Sequence, residues 1–177
     1  MKVIGLTGTN ASGKTETAEY LRRKGYRYYS LSDILREEAT RLGLDHSRKT
    51  LIELGNTLRK MHGAGVLAKM AKERLKGEHI IIDSIRNPKE IEELKMFLDF
   101  LLVGIDAPVE IRFKRAVMRG RAGDARTLEK FIENEKLENS RNKASQQLNR
   151  CLKMADALII NDGTKEELYR KLDEVIK

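Results

Sequence analysis

Apolar residues recur along this chain with two different periods. Five short runs rich in β-branched or aromatic residues predict strands: Lys2 to Thr7, Tyr26 to Ser30, His79 to Asp83, Phe100 to Ile105 and Ala157 to Asn161. Helical spacing fills the intervals, so strand and helix alternate. Strands that are apolar almost throughout, separated by helices, predict an α/β fold with a parallel sheet covered on both faces.

Helix starts are legible from their chemistry. Thr15 to Lys24 reads as a helix directly after a glycine-rich turn. Ser30 and Asp33 have capping-box spacing ahead of "ILREEATRL", and Thr164 with Glu167 repeats it before a helix with Leu168, Leu172, Val175 and Ile176 on one face. Asn87, Pro88 and Glu90 open another, with Ile91, Leu94 and Leu98 expected inward, and Pro108 suits a further start. Two basic segments are long for simple crossovers: Ser47 to Lys76, and Val109 to Ala155. No repeat, linker or low-complexity tract divides the 177 residues, so one domain is expected.

Charge and cysteine content narrow the setting. Lys and Arg number 35 against 27 Asp and Glu, a formal net charge of +8 that suits an anionic partner, either a polyphosphate ligand or nucleic acid. Cys151 is the one cysteine, so no intrachain disulfide can form; it reads as a small buried side chain in a reducing cytoplasm. "MKVIGLTG" carries too short an apolar run for a signal peptide, and "FLDFLLVGI" is too short to span a bilayer, so no membrane partner is expected. His46, His62 and His79 lack metal-ligand spacing.

The most specific signal lies near the start, in "GLTGTNASGKTETAEYL". Gly8, Thr9, Asn10, Ala11, Ser12, Gly13, Lys14 and Thr15 fit G-x-x-x-x-G-K-[ST] without a gap, with an apolar strand before and a helix after. Two glycines let the backbone turn several N–H groups onto one anion, and the helix start adds partial positive charge. Lys14 is then expected on the β- and γ-phosphates and Thr15 on Mg²⁺. Asp83 ends the run "HIIID", where a carboxylate can face the loop and hold the Mg²⁺ through water. No N-K-x-D segment or D-x-x-G follows, which argues against a GTP-driven switch.

Arginines mark where a second anion would lie. Arg36 follows "SLSD", Arg59 lies in "LGNTLRKMHG", and Arg86 comes three residues after Asp83. Convergent guanidinium forks would hold an acceptor phosphate in line with the donor. The structural alternatives are an ion pair of Arg36 with Glu37 or Glu38, a solvated Arg59 and a loop charge at Arg86. Arg112, Arg115, Arg119, Arg121 and Arg126 surround "GRAGD"; Arg115, Arg119 and Arg121 in particular suit a flap that closes over the transferring group.

From "GLTGTNASGKT" through "SLSDILREEA", "IIIDSIRNP" and "RGRAGD" to "ADALIINDGT", the chain resembles a small P-loop kinase of the nucleoside monophosphate kinase superfamily over nearly its whole length. The resemblance implies a three-layer fold with five parallel strands in the order 2-3-1-4-5, an acceptor-binding insertion at about 31–76 and a short helical lid at about 112–128. It implies ATP as donor, Mg²⁺ as cofactor, a nucleotide-like acceptor, and adenine near Asn161 to Thr164. "SLSDILR" is similar to the adenylate kinase segment flanking the acceptor phosphate. "IDSIRNPKEIEEL" resembles kinases of deoxynucleoside monophosphates. Asp33 and "ADALIINDGT" also resemble dephospho-coenzyme A kinase, in which the matching Asp orients or deprotonates a ribose 3'-hydroxyl. Catalysis and helix capping both remain open for Asp33, as do monomer and homodimer for the assembly. A nucleic-acid-associated NTPase is the rival of another class; few exposed-looking aromatics and no RNA-binding motif speak against it.

Overall fold

The computed structural model describes residues 1–120, 124–136, 138–139, 142 and 145–177. In chain order it contains β1 (Lys2–Gly8), α1 (Lys14–Arg23), β2 (Arg27–Ser30), α2 (Leu31–Arg41), α3 (Arg48–His62), α4 (Val66–Lys72), β3 (His79–Asp83), α5 (Pro88–Leu94), β4 (Asp99–Asp106), α6 (Val109–Arg119), α7 (Leu128–Lys136), α8 (Leu148–Lys153), β5 (Ala157–Ile160) and α9 (Lys165–Val175). The strands form one sheet in the order β2-β3-β1-β4-β5, and every pairing is parallel. Fold class and strand order therefore agree with the sequence expectation.

The pleat explains the continuous apolar runs. Within β3, Ile80 and Ile82 pack on one face with Leu35, Leu67 and Leu94, whereas Ile81 packs on the other with Ala18, Leu21 and Leu168. All three isoleucines are fully buried, each contributing roughly 1.5–3 kcal/mol of burial free energy. Because both faces are covered, no polar position is tolerated until the strand ends at Asp83. At that end β1, β3 and β4 deliver Gly8, Asp83 and Asp106 side by side.

Helix caps divide into those that formed and one that did not. Asn87 and Glu90 make a full capping box on α5, and Thr164 with Glu167 makes one on α9. Ser30 stands at the N-cap of α2 but makes no side-chain cap bond; its hydroxyl contacts Ser84 Oγ at 3.5 Å instead. The expected Ser30–Asp33 capping box is absent because Ser30 is also the last residue of β2, paired in register with Asp83. Leu98 is likewise corrected: it is fully exposed. Helix α5 stops at Leu94, so Leu98 loses helical register, and Phe97 packs against the core in its place.

Candidate active site

The phosphate loop links β1 to α1, and its glycines are there for space as well as conformation. A Cβ on Gly8 would lie 2.1 Å from the Ile105 carbonyl oxygen, and one on Gly13 2.2 Å from Asn161 Nδ2, with φ of +153° and +111°. Ala11 also takes a left-handed φ of 58°. Thr9 Oγ1 donates to Asp106 Oδ1 at 2.6 Å, and Asn161 Nδ2 donates to the Ser12 carbonyl at 2.8 Å. The loop is thus tied to the ends of β4 and β5.

Lys14 folds over the loop, its Nζ donating to the Gly8 and Thr9 carbonyls at 2.6 and 2.7 Å. Burial lowers its pKa to about 8, helped by Arg86 and Arg112 and opposed by Asp83 and Glu138. No carboxylate lies in salt-bridge contact with it among the described residues. Ser12 Oγ is buried without a partner. A loop with a desolvated cation and an unsatisfied hydroxyl has the donor set an anion needs.

Asp83 faces the same cleft. Its Oδ1 accepts from Ser84 N at 2.5 Å and its Oδ2 from the Tyr28 hydroxyl at 2.9 Å. Burial, with Asp83 beside it, pushes the Tyr28 phenol well up, so Tyr28 stays a donor. Ser84 holds φ of +66°, a left-handed conformation that turns the chain sharply after the strand. No group of three or more His, Cys, Asp or Glu fit to hold a metal occurs among the described residues.

Helix α6 carries Arg112, Arg115 and Arg119 of the arginines read around "GRAGD". Arg112 is a buried anchor: Nε donates to the Ala107 carbonyl at 2.7 Å, and Nη1 pairs with Glu135 and reaches the Asn10 carbonyl at 3.5 Å. Arg115 Nη1 donates to the Asn161 carbonyl at 2.9 Å and reaches that of Ser12 at 3.5 Å. Arg119 pairs with Asp124 at 2.9 Å and contacts Asn10 Oδ1 at 3.3 Å. Arg115 and Arg119 therefore border the phosphate loop, and Arg121 lies outside the described residues.

A cleft of about 910 Å³ joins the loop to the residues expected around a second anion, with Asp33, Arg36, Arg59 and Arg86 all on its lining. Arg36 pairs with Asp33 at 2.7 Å, not with Glu37 or Glu38. Arg59 is not solvated but 3% exposed. Its Nε and Nη2 donate to Glu90 Oε1 at 3.2 and 2.9 Å, while Nη1 is buried without a partner. Glu90 Oε2 meanwhile accepts from the backbone N–H groups of Arg86 and Asn87 at 2.8 and 3.0 Å. One buried carboxylate thus both caps α5 and fixes the loop that carries Arg86.

Sequence reasoning missed four contributors. Arg48 lines the cleft from the first turn of α3, where Ser47 caps by accepting from Thr50 N at 3.2 Å; the cap signal was available at "HSRK". Glu138 and Gln146 line it from beyond α7, where no motif marks them. Asp106 was visible only as the end of an apolar run.

Among the described residues no helix is long and apolar enough to cross a membrane. A family model described as an AAA domain matches residues 4–141. A UPF0200 protein of Sulfurisphaera tokodaii is 33% identical over 180 residues, covering 100% of this chain and 97% of the relative. Among solved structures, TT1252 from Thermus thermophilus superposes with a TM-score of 0.62 at 23% identity, covering 99% of this chain and 96% of that one. Shikimate kinase from Aquifex aeolicus does so with 0.60 at 18%, covering 97% and 94%. The overall fold is that of P-loop kinases, and the chain belongs to the AAA-domain family matched over residues 4–141 and to the UPF0200 proteins.

Proposed function

We propose that this protein transfers the γ-phosphoryl group of ATP, with Mg²⁺, to a small nucleotide-like acceptor, a nucleoside or deoxynucleoside monophosphate. One observation carries the reading: the phosphate loop and Asp83 share a single cleft with Arg36, Arg48, Arg59 and Arg86. Phosphoryl transfer needs little covalent help from a protein; it needs two anions held in line and the developing charge neutralised. The loop N–H groups would hold the donor phosphates, and Lys14 would exchange two carbonyl acceptors for phosphate oxygens. Arg115, Arg119 and Arg121 would cover the moving group. Both oxygens of Asp83 accept a hydrogen bond and keep lone pairs for metal-bound water, which fits a Mg²⁺ held by Asp83 and Thr15. Bound there, the ion would neutralise phosphate charge.

A second reading has one observation in its favour. Since Ser30 forms no capping box, Asp33 is not engaged at the helix start and stands on the cleft beside Arg36. That suits orientation of an acceptor hydroxyl, as in transfer to a ribose 3'-hydroxyl of dephospho-coenzyme A. ADP release from Mg²⁺ and ATP, measured against nucleoside monophosphates, their deoxy forms, dephospho-coenzyme A and RNA or DNA oligomers, separates the readings. Strong stimulation by a monophosphate is expected. Silence on every small acceptor, with stimulation by an oligomer, would overturn the kinase reading.

A further inference from the structure

In the acceptor half of the cleft two guanidinium groups close on one carboxylate oxygen. Arg48 Nη2 lies 2.5 Å and Arg86 Nη1 3.3 Å from the same Oε1 of Glu138, and Arg86 Nη1 also reaches Gln146 Oε1 at 3.4 Å. The residues come from separate places: Arg48 from the start of α3, Arg86 from the loop after β3, and Glu138 from beyond α7. All of them line the cleft.

Glu138 is 5% exposed. Burial alone would raise its pKa, but Arg86, Arg48 and Lys14 outweigh burial and hold the carboxyl below its usual range. It is therefore an ionised carboxylate facing a cation-lined cavity. One oxygen shared by two arginines is the arrangement that a ligand's phosphate or carboxylate oxygen takes in an anion site. The arginines keep unused capacity as well. Arg48 Nε and Arg59 Nη1 are buried without partners, and among the described residues the Arg48 and Arg86 charges face the one Glu138 carboxylate.

Building on the phosphotransfer reading, we infer that Glu138 is a resident stand-in for the acceptor's anionic group. Its carboxylate holds Arg48 and Arg86 in binding geometry, and an incoming phosphate monoester displaces it by exchanging hydrogen bonds. Specificity follows from that exchange. A neutral ligand cannot supply the charge that Glu138 provides and leaves it in place. A phosphate dianion offers three oxygens to the same two arginines and can also engage the unused Arg48 Nε, so it wins where a monoanion only breaks even.

The test is calorimetric titration of inorganic phosphate into the full-length protein, with the donor loop filled by Mg²⁺ and a non-hydrolysable ATP analogue. Glu138→Gln removes the competing charge and is expected to bind phosphate about tenfold more tightly than the native chain. Arg48→Ala should weaken binding, and the double variant Glu138→Gln with Arg48→Ala should lose the gain. Glu138→Asp, which retains the charge but reaches the arginines less well, should tighten binding by a smaller factor and serves if the glutamine variant folds poorly. Equal or weaker phosphate binding in both Glu138 variants, at unchanged melting temperature, would overturn the inference, as would a gain that survives loss of Arg48. If the analogue itself fails to bind, the donor reading fails separately. The comparison with Arg48→Ala then still isolates the acceptor subsite on the bare protein.

Discussion

The two halves of the cleft manage positive charge in opposite ways. At the phosphate-loop end the cation under the loop is a lysine, folded onto loop carbonyls with no carboxylate in salt-bridge contact among the described residues and with a pKa near 8. The other end, proposed for the acceptor, carries arginines that each lie against a carboxylate of the chain itself: Arg36 against Asp33, Arg59 against Glu90, and Arg48 and Arg86 against Glu138. The difference follows from side-chain chemistry. A buried lysine can relieve its desolvation by releasing a proton, whereas a guanidinium cannot. A lysine can therefore wait for a phosphate without a direct ion pair, whereas a buried guanidinium such as that of Arg59 needs a resident anion beside it.

The largest effect expected on this comparison comes from Lys14→Ala, which should lower turnover by at least about 10³-fold, the loss of a main charge-stabilising group. The melting temperature should hold, because the substitution removes a desolvated charge and, among the described residues, leaves no carboxylate stripped of a salt-bridge partner. Near-normal ADP release from that variant would break the donor half of the argument. Arg59→Ala should behave oppositely, costing about 3–5 kcal/mol of unfolding free energy by stranding the buried Glu90 carboxylate. Urea denaturation would measure it. A midpoint unchanged from the native protein would mean that Glu90 is satisfied by its backbone partners alone.

pH sharpens the contrast further. Nucleotide affinity should fall as pH rises above about 8, because free Lys14 is then neutral and binding must restore its proton. Calorimetry in two buffers of different ionisation heat would detect that proton uptake, and its absence would remove the lysine from the phosphates. The same depressed value makes the folded state pay a charge penalty below about pH 8 that is relieved as pH climbs toward the ordinary lysine value of 10.5. Phosphate binding at the Arg48–Arg86 pair should lack this lysine-linked decline. The smallest effect belongs to the surface: Arg170→Ala removes a pair with Glu174 in which both side chains are more than half exposed, and no change in melting is expected.

Legibility followed how many elements each feature needs. The phosphate loop is eight consecutive residues, so its pattern was complete in the sequence. The caps at Asn87 and Thr164 are local in the same sense and formed as read. The Ser30 cap failed because a long-range pairing with β3 claimed that residue, and Leu98 failed because a helix end shifted one turn. Arg59 lines the same cleft as the loop, but its burial against Glu90 was invisible, as the two are 31 residues apart. Glu138 had no local signal at all.

By itself the sequence determined the α/β class, from alternating strand and helix periods, and the loop between β1 and α1, from an unbroken run of eight residues holding two glycines and a lysine. The tertiary structure alone decided which carboxylate meets which arginine. Desolvation makes each buried cation select a partner by proximity in space, and proximity between residues such as Arg48 and Glu138, 90 positions apart, exists only once the sheet has brought their segments to one end.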